Sequence, residues 1–129
     1  MLEKDLIDRL TLAIPSVAGR VHLGNAPQDT ALPFAVLRRT AGSTPRTLGG
    51  VKLFGRANVS VDLVGATYAD VLIASAAAHE SLDGFKGQAG ETYVESARCL
   101  SDPADNSLVD GDLVLRQLTQ DFLVVYREL

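Results

Sequence analysis

Residues 56–64 read Arg56-Ala57-Asn58-Val59-Ser60-Val61-Asp62-Leu63-Val64 and alternate polar with apolar side chains. Ala57, Val59, Val61 and Leu63 fall on one side, and Arg56, Asn58, Ser60 and Asp62 on the other. Side chains of a strand point to opposite faces in turn, so this period predicts a half-buried antiparallel strand with a wet or interfacial second face. Upstream, the apolar run that starts at Phe34 and gives way to Arg38 and Arg39 predicts a partner strand to about Thr40. Between the two lies AGSTPRTLGGVKLFG (41–55), whose Gly42, Pro45, Gly49, Gly50 and Gly55 predict a long hairpin arm.

The pattern changes after Val64. Thr67 with Asp70 three positions later predicts a capping-box-like helix start, with Asp in place of the usual Glu. Val71, Leu72, Ala76, Ala78 and Leu82 are its expected apolar contacts, and Gly84 its left-handed stop. A first helix is expected over Leu2 to Ile14, where Leu2, Leu6, Leu10 and Ile14 recur at i+4 and Pro15 ends the run. Thr92 to Leu100 predicts a third strand. Leu113 to Tyr126 predicts a fourth, with Leu118, Phe122, Val124 and Tyr126 on one face and Leu113, Leu115, Leu123 and Val125 on the other. The segment SDPADNSLVDGD (101–112) between them reads as a loop, with a turn at Asp110-Gly111. The order α-β-β-α-β-β predicts an α+β domain over residues 1–129, with two layers. In it two helices cover one face of a four-stranded, mainly antiparallel sheet, and the other face, of mixed character, is free for a partner.

The connector GRVHLGNAPQDTALPF (19–34) is a turn-rich path into the first strand, with Pro33 biasing Leu32 towards extended backbone. Its Gly19-Arg20-Val21 turn, Gly24, Ala26-Pro27-Gln28 step and Leu32-Pro33-Phe34 entry resemble the opening of the tail-completion, or tail-terminator, proteins of long-tailed bacteriophages. The likeness continues in order through Val59 to Leu63, the turn at Gly65 to Thr67 with Tyr68-Ala69, the exit Leu82-Asp83-Gly84-Phe85 and the ending Tyr126-Arg127-Glu128. The resemblance implies a structural virion protein. Such proteins form a hexameric ring that caps the head-proximal end of the tail tube, stops its polymerisation and meets the head–tail connector or neck, with DNA passing through the lumen. It implies assembly in the host bacterial cytoplasm and no catalysis. A neck or stopper ring at the head–tail junction is the alternative of similar size and symmetry.

Composition agrees with an assembly role and excludes little else. An apolar share of 47% and a charged share of 22% place the chain among globular proteins. A net charge of -4 argues against a general nucleic-acid binder. Cys99 is the sole cysteine, so neither an intrachain disulfide nor a four-cysteine zinc site is expected. The amino terminus lacks the basic start of a signal peptide, and no window approaches ~18 consecutive apolar residues, so no membrane partner is expected. His22 reads as a surface turn residue, His79 as a helix residue and Cys99 as a small half-buried hydrophobe. Neither histidine has neighbours at metal-ligand spacing, so no catalytic residue, cofactor or metal is expected. A small α+β enzyme or ligand-binding domain, the third reading, lacks a convergent acid/base or nucleophile set.

One charge pattern stands out. From 38 to 56 the charged residues are Arg38, Arg39, Arg46, Lys52 and Arg56, all basic. From 101 to 112 they are Asp102, Asp105, Asp110 and Asp112, all acidic. Two solvated loops are the plain reading. A ring needs heterologous, complementary patches, so the sharper expectation is that the basic arm of one subunit meets the acidic loop of the next. The rival is a basic arm facing DNA phosphates in the lumen.

Overall fold

The alternating stretch becomes the central strand. In the computed structural model, which describes residues 2–17, 19–24, 31–43, 54–110 and 113–128, it is β3 (Gly55–Gly65). The described elements run α1 (Leu2–Ala13), a 3-10 turn (Pro15–Val17), β1 (Val21–Leu23), β2 (Phe34–Ser43), β3 and α2 (Tyr68–Leu82). They continue through β4 (Gly87–Ala89), β5 (Thr92–Cys99), β6 (Ala104–Asp105), β7 (Leu108–Asp110) and β8 (Leu113–Glu128).

The expected four-stranded, mainly antiparallel sheet is not what forms. The strands build a mixed, curled sheet in the order β1-β2-β3-β8-β5-β4, with β6 and β7 also paired to β8. The additional strands are two or three residues long. No period can show in so few residues, and each exists because a longer neighbour offers it a ladder. β1 runs parallel to β2, with Val21 opposite Ala35 and Leu23 opposite Leu37, inside the connector read as a bare turn segment. The 16-residue β8 outruns its partner β5, and part of the expected loop 101–112 zips onto the excess as β6 and β7. Register shifts at Arg39/Ala41 and Val94/Ser96 mark bulges, which kink strands and add twist, in keeping with the curl.

The core lies between this sheet and the helices. Leu2, Leu6, Leu10 and Ile14 of the first helical stripe are buried, as are Ala57, Val59, Val61 and Leu63 from β3. Directly opposed residues share a face, and the register puts Leu118, Gln120, Phe122 and Val124 against Leu63, Val61, Val59 and Ala57. Gln120 thus interrupts an apolar row. It is almost fully buried and its Nε2 donates to the Ser75 carbonyl at 3.0 Å, tying β8 to α2. α2 starts as expected: Thr67 is the N-cap, and its Oγ1 accepts from the Asp70 N–H at 3.3 Å. Its end is as expected too, with Gly84 at φ 77 just beyond the Asp83 C-cap.

Candidate assembly surfaces

Arg56 of the basic run and Asp105 of the acidic one lie towards different ends of the sheet. Arg56 pairs with Val125 of β8, and Asp105 pairs with Leu118, so the two lie roughly 23 Å apart at about 3.3 Å per strand residue. β3 begins at Gly55 opposite Tyr126, near one end of β8, and β7 ends at Asp110 opposite Leu113, at the other. Arg56 and Asp105 therefore cannot pair within one chain.

Several of the expected contact residues are already engaged. Arg38 on β2 bridges to Asp62 across the sheet, Nη2 to Oδ2 3.0 Å. Thr119 Oγ1 donates to the same carboxylate at 2.7 Å, and Asn106 Nδ2 donates to Thr119 at 2.9 Å. This network explains how Asp62, 6% exposed, is tolerated on the polar side of β3. Arg39 turns the other way, to Glu3 of α1 at 3.1 Å, with its guanidinium 5.8 Å from the Tyr126 ring. Arg56 remains exposed, 5.5 Å from the Phe54 ring. Arg46, Lys52 and Asp112 lie outside the described residues. Asp102 is exposed, and Asp110 pairs through its backbone with Leu113.

Asp105 is a hub. It accepts from Ser107 Oγ at 2.5 Å and Ser107 N–H at 2.9 Å, and from the Tyr68 hydroxyl at 2.5 Å. Arg116 lies over the Tyr68 ring at 4.3 Å and donates to its hydroxyl at 3.2 Å. The acidic segment is thereby fastened to the start of α2. The Ser107 side chain first, then the Tyr68 hydroxyl, hold the Asp105 carboxyl at about 2, below its ordinary 3.8. A depressed carboxylate contributes its contact above the unfolded pKa and loses it as pH falls through the folded one. The clasp should therefore stay intact at pH 4, and the stability it contributes should be lost as pH falls from about 3.8 through about 2. An NMR titration of Asp105 checks this, and Tyr68→Phe should move the midpoint up.

A surface the sequence reading missed lies on α2. Leu72 and Ala76 were expected to be contacts of the fold, yet Leu72 is 56% exposed, Ile73 66% and Tyr68 41%, and Ala69 and Ala76 are exposed beside them. The available signal was the run Val71 to Ala78, apolar but for Ser75, which puts apolar residues on every side of that stretch, whereas one sheet can bury only one stripe.

The other candidates resolve into structural roles. His22 lies in β1, not in a surface turn, and its Nε2 is buried without a hydrogen-bond partner among the described residues. His79 Nε2 lies 3.5 Å from Asp83. Cys99 is half-buried, with its Sγ 2.9 Å from the Ser101 carbonyl oxygen. Among the described residues no group of three His, Cys, Asp or Glu side chains is placed to hold a metal. A cleft of about 550 Å³ between α1 and α2 contains Asp5, Asp8, Arg9 and Glu80. Asp5 accepts from Thr92 Oγ1 at 2.6 Å there, and Arg9 stacks on Phe85 at 3.6 Å while donating to the Ser81 carbonyl. No helix among the described residues is long and apolar enough to cross a membrane.

No protein family and no curated protein matches the sequence. Solved structures do match the fold. A chain of the virion of a native gene transfer agent particle superposes with a TM-score of 0.71, covering 97% of this chain and 93% of that one, at 14% identity. A second solved structure gives a TM-score of 0.54 over 95% of this chain and 89% of that one, at 17% identity. The chain therefore shares, over almost its whole length, the fold of a gene transfer agent virion chain.

Proposed function

We propose that this protein is a structural subunit of a phage-like virion, and that its role is that of a tail terminator. Copies form a ring, hexameric by the resemblance, on the head-proximal end of the tail tube, stop its growth and present a surface to the neck. The observation that carries this reading is the fold likeness to a gene transfer agent virion chain, near complete in both directions. The order of motifs from Gly19 to Glu128 supports it independently. Arg56 and Asp105, towards different ends of the sheet, suit a head-to-tail contact, because a ring closes through two different patches on each subunit.

Electron microscopy of particles assembled without this protein is the test. Overlong, headless tails are expected. Normal-length tails joined to heads would overturn the reading, and normal-length tails without heads would replace it with a neck or stopper role. Reversing Arg46 and Lys52 to Glu tests the arm contact: ring mass should be lost, and an unchanged ring would exclude the arm from the subunit contact.

A further inference from the structure

A helix that is apolar all round is normally buried. α2 buries Val71, Ala74, Ala78 and Leu82 against its own chain and leaves Leu72 and Ile73 bare on the other side. Glu80 is exposed on the same side, seven residues and roughly 10 Å beyond Ile73, at the cleft that α1 lines with Arg9. It takes part in no ion pair among the described residues. At the other end of the helix the Tyr68–Asp105 contact fastens the acidic segment alongside. The surface thus has an apolar centre, the Glu80 carboxylate at one end and the Asp105–Tyr68–Arg116 cluster at the other.

The outer face of the sheet carries its complement. A hollow of about 280 Å³ is lined by Ala41, Gly42, Arg56, Asn58 and Leu123, at the base of the basic arm. Arg98 stands directly across from Leu123 on β5, and Asn58 directly across on β3. Arg56 and Arg98 are exposed and, among the described residues, in no ion pair. Here the centre is apolar and the rim basic. The sheet separates this hollow from α2, so a chain cannot fill its own.

We propose that the bare face of α2 in one copy seats on the hollow at Leu123 in the next, with Ile73 as the apolar anchor and Glu80 meeting Arg56 and Arg98. The occupant is a second copy of this chain, because the two surfaces match in charge sign and both lie on every subunit. Two different patches in contact make a heterologous interface, the kind that propagates around a ring. The charges fix register, and the buried aliphatic contact supplies adhesion. The proposal rests on the ring reading and names the contact that reading requires.

Chemical cross-linking tests it. In a Cys99→Ser background, which removes the sole cysteine, chains carrying Ile73→Cys are mixed with chains carrying Leu123→Cys and treated with a short bis-maleimide on purified tail tubes. The mixture should yield covalent dimers, and neither variant alone should. Dimers from Ile73→Cys alone would mean helices packed back to back, and would overturn the proposal. So would a mixture that gives no dimers. In a second measurement Glu80→Arg should weaken self-association tenfold or more, and Arg56→Glu added to it should restore part of the loss. Unchanged association in Glu80→Arg refutes the contact. A folded Ile73→Asp variant should fail to cap tails; if it caps them normally, the contact falls while the terminator role stands.

Discussion

Phe122→Ala is expected to lower the free energy of unfolding by about 3–5 kcal/mol, the usual range for deleting a fully buried aromatic ring. Phe122 is 0% exposed. It sits mid-way along β8, opposite Val59 of β3 on one side and Cys99 of β5 on the other, so its ring bridges three strands beneath the helices. Removing it leaves a cavity that these paired strands cannot collapse, because each is held by its own ladder. Domains are typically stable by about 5–15 kcal/mol, so the variant should fall close to the margin. Urea unfolding should show a much lower midpoint with an unchanged slope. A loss under 1 kcal/mol would mean that the sheet is not packed as described. Phe122→Leu should cost clearly less.

The second large effect is expected at Gly90, where a change of one methyl group should cost about 2–5 kcal/mol. Gly90 is the first residue of the two-residue turn between Ala89 and Thr92, at φ 57, in the left-handed region. A β-carbon there meets the Asp5 carboxylate. That carboxylate has little freedom to retreat: Asp5 is 7% exposed and accepts from the fully buried Thr92 hydroxyl at 2.6 Å. Gly90→Ala therefore adds a left-handed alanine, about 1–2 kcal/mol, to the displacement of a buried hydrogen bond, about 1–3 kcal/mol. Gly84→Ala isolates the first of these. Gly84 has φ 77 but nothing within 4 Å of its added β-carbon, so about 1–2 kcal/mol is the expected cost. Equal losses in the two variants would refute the Asp5 contact.

Long periodic segments were readable from sequence because their pattern repeats more often than chance allows. The alternation at Ala57, Val59, Val61 and Leu63 and the stripe Leu2, Leu6, Leu10 and Ile14 both became core. Thr67 and Gly84 acted as helix start and stop because capping is local chemistry. The short strands were not readable. Val21–Leu23 and Ala104–Asp105 hold their conformation only because Ala35 to Leu37 and Leu118 to Thr119 lie alongside. His22 and the segment 101–112 were misread for the same reason. For the candidate contact residues, the sign of the charge runs is plain in the sequence, but which charges stay free is not. Arg38 and Arg39 are neutralised by Asp62 and Glu3, which stand 24 and 36 residues away.

Local pattern specified the two helices and the longer strands, the apolar sides of α1 and β3, and two charge runs of opposite sign. These are properties of neighbours three, four or two positions apart. Sheet order, curl, the burial of Gln120 against Ser75, and the separation of Arg56 from Asp105 along β8 arose only on folding. The tertiary structure also decided that Leu72 and Ile73 stay bare while Val71 and Ala74 do not. An apolar helix does not specify which stripe its own sheet will cover. That choice follows from packing between residues far apart in the chain, and it leaves Leu72 and Ile73 exposed.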